Sequence, residues 1–149
     1  MNLPKVLFVV FFLSTFSVTA FCNEQLPEQD YGLPKEHVRK IKWIARFISG
    51  ELAGRNIKTV TVEDFSDFYG RPSSKAKEIS QELEIQLKNM PDKKFLIVSD
   101  SPEAIIKGIF LPFKDGKKFK LDISVVASGR DRIITSYTGI FKKPKTYKK

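Results

Sequence analysis

The sequence predicts an α+β fold of two layers, in which a mixed β-sheet carries its helices mainly on one face. Three observations lead to this prediction. Residues 34–54 and 76–90 place apolar side chains at helical spacing, residues 58–98 have the order strand, helix, strand, and apolar and polar residues alternate towards the C-terminus. A strand–helix–strand unit predicts two parallel strands with a right-handed crossover, and the alternation predicts an antiparallel meander.

The first 22 residues have the layout of a secretory signal peptide. Lys5 is followed by an apolar run over residues 6–16 and then by small residues up to Ala20, so cleavage after Ala20 or after Cys22 fits. The apolar run is shorter than the roughly 20 residues of a membrane-spanning helix, which disfavours a permanent anchor. Cys22 leaves two alternatives open, removal or lipidation, although the bulky Phe21 stands where a lipidation motif has a small residue.

After the signal peptide, we predict a flexible lead-in over residues 23–34, one domain over residues 35–141 and a basic tail over residues 142–149. The first helix is predicted from Pro34 to Gly54. One face of it carries an apolar stripe that a core must cover, formed by Val38, Ile41, Ile44, Ala45, Ile48 and Leu52. The second helix carries the stripe Ala76, Ile79, Leu83, Leu87 and Met90.

The strands are predicted from period-2 alternation and from short apolar runs. Residues 59–62 alternate valine with threonine, and residues 95–98 form a continuous apolar run, which is typical of a strand buried on both faces. A short helical turn is predicted after Ser99 and Asp100, one of which would cap it, with Pro102 at its first helical position. Strands at residues 105–110, 119–126 and 133–141 follow, separated by turns at Asp115-Gly116 and at residues 128–131.

The charge balance predicts attraction to polyanions. The chain has 26 basic and 17 acidic residues, and loss of residues 1–22 removes only Lys5 and leaves a net charge of +8. Because the chain is predicted to be exported, we expect anionic lipid or cell-wall polymer rather than nucleic acid as the polyanion. The hairpin and tail lysines are predicted to form this surface, with a solvated face as the alternative: Lys114, Lys117, Lys118, Lys120, Lys142, Lys143 and Lys145.

Three carboxylates follow predicted strands and are the residues to consider for chemistry. Asp64 and Asp67 come after the first strand and Asp100 after the next, where an open α/β sheet places its ligands. They predict either a cation or acid–base cluster, or backbone capping in turns, and we favour capping because no catalytic set surrounds them. We therefore expect neither an enzyme nor a cofactor.

Two further features have a functional and a structural interpretation. Arg71 and Lys75 flank the start of the second helix and are candidates for binding an anion there, whereas Ser73 or Ser74 at the same place predicts ordinary N-capping. His37 is the single histidine, and without a second histidine or a nearby cysteine we expect a solvated surface residue rather than a base or metal ligand.

The order of these motifs resembles a bacterial envelope superfamily. Residues 60–65 read Val-Thr-Val-Glu-Asp-Phe, and then come a glycine turn at Gly70, Glu82-Leu83 within a helix, and the strand at residues 95–98. Gly108-Ile109-Phe110 and the Ser136 to Gly139 segment fit the later motifs. The superfamily includes the TolB amino-terminal domain, CsgG, FlgO-like proteins and lipoproteins that activate penicillin-binding proteins, and the resemblance spans residues 36–141.

The resemblance implies an exported, periplasmic or secreted protein, with outer-membrane association open. Its implied role is non-catalytic, to bind or assemble other envelope proteins or cell-wall components. The chain departs from the pattern because Asp100 is followed by serine rather than arginine, and because it lacks the insertion of a secretion pore and the propeller of TolB. The alternatives are a metal-binding or hydrolytic protein using Asp64, Asp67 and Asp100, and a peripheral membrane lipoprotein.

Overall fold

A computed structural model describes residues 32–143 of the chain. The predicted signal peptide with Cys22, most of the predicted lead-in and the tail from Pro144, which includes Lys145, lie outside the described residues. Within residues 32–143, neither helix combines the length and the apolar character needed to cross a membrane.

Two helices and six strands make up the described part of the chain, and they form the predicted α+β fold. In chain order the elements are α1 (Lys35–Gly54), β1 (Thr59–Val62), β2 (Ser66–Asp67), α2 (Ser74–Lys88), β3 (Leu96–Ile97), β4 (Ala104–Pro112), β5 (Lys118–Ala127) and β6 (Ile133–Lys142). The sheet order is β3-β1-β4-β5-β6, and β2 pairs with β4. Strand β1 is parallel to β3 and β4, whereas β4, β5 and β6 form the predicted antiparallel meander.

One core lies between the two helices and one face of the sheet. The predicted helical stripes supply much of it, and in α2 the side chains of Ala76, Ile79, Leu83 and Leu87 are all fully buried. The sheet supplies alternate residues, of which the β5 series is Phe119, Leu121, Ile123 and Val125. Each large apolar side chain buried here contributes about 1.5–3 kcal/mol, so this face holds the domain together.

Strands β1 and β2 are two consecutive pieces that run beside β4, separated by the buried Phe65. Phe65 lies directly over Gly108 of β4, and a Cβ atom at Gly108 would be 2.5 Å from the phenyl ring. Any side chain at residue 108 would therefore push Phe65 out of the core. This contact sets where β2 pairs with β4, and so where the following loop emerges.

Three predictions about the stretch between α2 and β4 are wrong. Helix α2 ends at Lys88, so Met90 packs against the core from outside the helix. Strand β3 is an edge strand with Leu96 64% exposed, because only β1 pairs with it and only one of its faces meets the core. No helical turn follows Ser99, since Glu103 already donates its N–H to the Thr59 carbonyl at 3.1 Å and β4 begins at the next residue.

The other element boundaries differ little from the predicted ones. Helix α1 begins at Lys35, and the carbonyl of Pro34 accepts the first N–H groups, from His37 and Val38. It ends at Gly54 as predicted, but the left-handed residue that turns the chain is Asn56, with φ 58°. Strand β6 extends through Lys142, the first residue of the predicted tail.

Candidate functional site

The loop between β2 and α2 is organised by one carboxylate, Asp67. Its Oδ1 atom accepts hydrogen bonds from the backbone N–H groups of Tyr69 at 2.9 Å and Arg71 at 2.8 Å, and its Oδ2 atom accepts one from Arg71 Nε at 2.8 Å. The bond from the Arg71 backbone, with the others, lowers the pKa of Asp67 below its ordinary value. Asp67 therefore has the structural role in a turn that the sequence favoured.

This pinned loop presents two large aromatic side chains to solvent. Phe68 is 65% exposed and Tyr69 is 76% exposed. Their rings meet edge to face with centroids 5.6 Å apart, and the Arg71 guanidinium lies 4.9 Å from the centre of the Tyr69 ring. The aromatic pair is thus both exposed and held in place.

The end of β4 extends this apolar surface. Ile109, Leu111 and Phe113 share a cleft of about 350 Å³ with Phe68, and Ile109 and Phe113 are themselves 40% and 42% exposed. We call Phe68, Tyr69, Ile109, Leu111 and Phe113 the aromatic rim. Lys120 and Asp122, an ion pair at 2.9 Å, close the cleft on its sheet side.

The other two candidate carboxylates, Asp64 and Asp100, do not join Asp67 in its hydrogen bonds. Asp64 nevertheless lines a cavity with Gly70 and Pro72 of this loop. Asp64 is exposed and pairs with Lys77 of α2 at 3.4 Å, and Asp100 is an exposed residue in the connection to β4. Within residues 32–143, no three His, Cys, Asp or Glu side chains come together as a metal ion would require. The fold therefore does not assemble Asp64, Asp67 and Asp100 into one site.

The predicted anion site at the start of α2 is divided. Ser73 is the N-cap and its Oγ atom accepts from the Ala76 N–H at 3.5 Å, as the capping alternative predicts. The Arg71 side chain bonds Asp67, whereas Lys75 pairs with Glu78 at 3.2 Å and lines a different cavity.

That second cavity brings together lysines from three predicted groups. Lys75 of α2, Lys118 at the start of β5 and Lys143 just after β6 line a space of about 520 Å³. The remaining lining residues are Pro34, His37, Phe110, Pro112, Gly116 and Phe119. We call this space the lysine cavity. Lys114 and Lys117 lie in the adjacent β4–β5 hairpin, and Lys142 is the register partner of Lys118.

The prediction that His37 is a solvated surface residue is wrong, because its side chain is only 3% exposed. The ring meets Phe119 and Phe141 edge on, each at 5.3 Å between centroids, and Nε2 is 2.6 Å from the Lys142 carbonyl oxygen. Burial, the largest effect, and the positive charges of Lys75 and Lys40 lower the pKa of His37. Strands β5 and β6, whose packing against α1 cannot be predicted from residue spacing within α1, supply this burial.

Sequence reasoning missed the aromatic rim. Phe65, Phe68 and Tyr69 lie within five residues of each other, and only Phe65 is buried. A signal was present, because aromatic residues in a turn bounded by Asp67 and Gly70 lack the periodicity that would place them in a core.

Comparison with known proteins shows what the fold resembles. No protein-family model matches the chain, and neither does any curated protein. The LpoB C-terminal domain from Escherichia coli superposes with a TM-score of 0.50 at 14% identity, covering 70% of this chain and 99% of that chain. The LpoB C-terminal domain from Salmonella enterica gives a TM-score of 0.48 at 13% identity, covering 66% of this chain and 95% of that chain.

At these identities the likeness to the Escherichia coli domain concerns the fold alone. It agrees with the sequence prediction of an α+β fold. Membership of the TolB, CsgG or FlgO-like groups stays a prediction.

Proposed function

We propose that this protein is an exported, non-catalytic component of the bacterial envelope that binds another envelope protein through the aromatic rim. The observation that carries the proposal is the loop at residues 67–71. It exposes Phe68 and Tyr69 to solvent while three hydrogen bonds to Asp67 hold its backbone and Arg71 in place.

The energetics of such a loop favour protein binding. Burying an aromatic side chain of this size contributes about 1.5–3 kcal/mol, which Phe68 and Tyr69 do not gain within their own domain. Tyrosine, tryptophan and arginine are the residues that dominate binding energy at protein interfaces. Because Asp67 already orders the loop, binding would lose less conformational entropy than it would with a flexible loop.

The composition of the surface indicates the kind of partner. The rim is an apolar surface bordered by charged groups, with Arg71 on one side and the Lys120–Asp122 pair on the other. A protein surface with an apolar centre and polar margins complements it better than a lipid bilayer, because three of the border charges are already paired.

The envelope part of the proposal rests on other features. The signal-like N-terminus, the resemblance of residues 36–141 to envelope proteins and the fold shared with an LpoB domain all support export to the periplasm or beyond. Contact with anionic lipid or cell-wall polymer through the hairpin and tail lysines is compatible with this role.

The non-catalytic part of the proposal is supported by how the carboxylates are used. Asp67 bonds its own loop and Asp64 pairs with Lys77. The competing proposal, a metal-binding or hydrolytic protein, predicts heat release on titration with calcium or magnesium, or a turnover that Asp64→Asn or Asp67→Asn abolishes. Either result would replace the binding role with the competing one.

Photo-crosslinking in cells tests the proposed interface. A benzophenone amino acid is placed at Tyr69 in the rim and, as a control, at Ile85, which is 48% exposed on α2. We expect the Tyr69 position to crosslink one envelope protein in high yield and the Ile85 position not to do so. Equal yields from both positions, or a cytoplasmic protein as the product, would contradict the proposal.

A further inference from the structure

We propose that the lysine cavity is a binding site for a small amphiphilic anion, with a carboxylate or phosphate head and an acyl body. This site shares Phe110 and Pro112 with the cleft beside the aromatic rim, but it does not depend on the rim's proposed partner. Three features of the molecule support the proposal: the shape of the cavity, the chemistry of its lining and one buried histidine.

The lining of the lysine cavity has two parts. Phe110, Phe119, Pro34 and Pro112 supply apolar surface, and Lys75, Lys118 and Lys143 supply ammonium groups. Among residues 32–143, no aspartate or glutamate lines it. Its volume of about 520 Å³ lies in the range of ligand sites in proteins, roughly 300–1,000 Å³, which are mostly apolar with a few placed polar groups.

The charges in the cavity are largely uncompensated by the described residues. Lys75 pairs with Glu78 at 3.2 Å, but Lys118 and Lys143 have no carboxylate within ion-pair distance among residues 32–143. Two ammonium groups beside low-dielectric aromatic surface attract an anion more strongly than they would in open water. The paired backbone of β5 and β6 fixes both residues, since Lys143 donates its N–H to the Lys117 carbonyl at 2.7 Å.

His37 lines the cavity and has one buried polar atom that the fold leaves unsatisfied. Since the Lys142 carbonyl can only accept, Nε2 of His37 carries the proton of that bond. Its Nδ1 atom is buried and has no hydrogen-bond partner among the described residues. A buried polar group without a partner is uncommon and calls for a ligand, a water or an ion. An anion bound in the cavity would favour the protonated imidazole, in which Nδ1 becomes a donor.

The apolar part of the lining argues against a bare inorganic anion as the intended ligand. An inorganic phosphate would satisfy the lysines but leave the apolar surface of Pro34, Phe110 and Pro112 in contact with water. An acyl chain covers that surface and contributes about 0.8 kcal/mol for each buried CH₂ group. The two parts of the lining therefore call for one molecule with two parts.

The test uses the full chain and probes of defined chemistry, below the concentrations at which they form micelles. Octyl phosphate and octanoate carry the anionic head on an acyl body, octylammonium reverses the charge, and inorganic phosphate lacks the body. Lys118→Gln/Lys143→Gln is compared with Lys42→Gln/Lys58→Gln, which removes the same charge from exposed residues outside the cavity. The His37 imidazole signals report the site by NMR and need no assignment, because the chain has one histidine.

We expect octyl phosphate or octanoate to bind, to shift the His37 signals and to raise the pKa of His37. This pKa also responds to Glu36 and Lys40 of α1 and to Lys75 of α2, so all variants keep those residues. The Lys118→Gln/Lys143→Gln variant should bind at least tenfold more weakly and the control variant within twofold of the wild type. The ratio of octyl phosphate to octanoate affinity then separates a phosphate headgroup from a fatty acid as the source.

Four results would overturn the proposal. Equal weakening in both variants would show only general attraction to a basic protein. Octylammonium binding as tightly as octanoate would show only apolar adsorption, and inorganic phosphate binding as tightly as octyl phosphate would remove the acyl body from the site. Binding without any change in the His37 signals would place the ligand elsewhere.

Discussion

The aromatic rim and the lysine cavity are formed by the same strand end, yet they differ in almost every property. At the end of β4, Ile109 and Leu111 belong to the rim, as does Phe113 just beyond the strand, whereas Phe110 and Pro112 line both the cavity and the cleft beside Tyr69. The period-2 alternation of the strand thus separates the residues of the rim from those that the two surfaces share. The rim exposes aromatic side chains, and the cavity combines apolar walls with lysines and a buried histidine.

Both surfaces therefore depend on the position of β4. In other respects, we expect substitutions to affect each surface independently of the other. Changes to the packing of β4 should damage both surfaces together. Changes to the rim or to the cavity alone should affect one function and leave the other intact.

The largest effect is expected from Gly108→Val, because its side chain would occupy the space of the Phe65 ring. Overpacking of this kind costs about 3 kcal/mol. A displaced β4 would disturb rim and cavity alike, because its end lines both. Urea unfolding measures the change in the free energy of unfolding. Gly50→Ala is the matched control, since a Cβ there meets nothing within 4 Å and a helical alanine should stabilise by about 0.5–1 kcal/mol. A Gly108→Val protein as stable as the wild type would contradict the packing account.

The next effect separates binding from stability at the rim. Phe68→Ala/Tyr69→Ala should weaken the affinity for the partner identified by crosslinking at least tenfold, since aromatic hot spots contribute about 2 kcal/mol or more. The free energy of unfolding should change by less than about 0.5 kcal/mol, because both side chains are exposed. Calorimetry of the purified pair measures the affinity, with Ile85→Ala/Leu96→Ala as the control that removes exposed apolar surface elsewhere. Equal losses in the two variants would contradict a specific rim.

A smaller effect is expected from Asp67→Asn, which keeps the shape of the side chain but removes its charge. The amide offers one acceptor oxygen in place of two, so the loop should lose its bond from Arg71 Nε or from the backbone. We expect weaker partner binding than in the wild type, but stronger binding than in Phe68→Ala/Tyr69→Ala. Hydrogen exchange of the Tyr69 and Arg71 amides should become faster. Unchanged exchange would show that Asp67 does not hold the loop in place.

The smallest effect concerns the pH dependence of stability that arises from His37, a lining residue of the lysine cavity. Because the pKa of His37 is lower in the folded state than its ordinary value of 6.5, the unfolded chain takes up the proton more readily. Its contribution to stability is therefore complete above pH 6.5 and is lost as the pH falls through the folded-state pKa. Unfolding of the wild type and His37→Gln between pH 8 and pH 5 should show the difference between them narrowing as the pH falls. A constant difference would mean that His37 titrates alike in both states.

Much of the fold could be predicted from the sequence because local patterns determine it. The stripes of α1 and α2 and the alternation in β5 place their apolar residues in or against the observed core, except for Val38, which the prediction wrongly included. Two glycines of the envelope-type motifs also have a physical reason. A Cβ at Gly108 would strike Phe65, and a Cβ at Gly139 would strike the Tyr137 ring.

The features that could not be predicted depend on contacts between distant parts of the chain. His37 is buried because residues of β5 and β6, about a hundred positions away, close over it. Leu96 is exposed because β3 is at the sheet edge, which its apolar run does not reveal. The lysine cavity likewise joins residues 75, 118 and 143, whereas the sequence linked Lys75 with Arg71.

The most direct test of partner binding at the aromatic rim is to map the NMR chemical-shift changes of the backbone amides. The partner captured at Tyr69 is added to the isotope-labelled chain for this purpose. If the partner binds the aromatic rim, the largest shifts should fall on residues 67–71 and 109–113, and the shifts at Lys75, Lys118 and Lys143 should be small. Largest shifts on α1, or on the lysine cavity with the rim unchanged, would contradict binding at the rim.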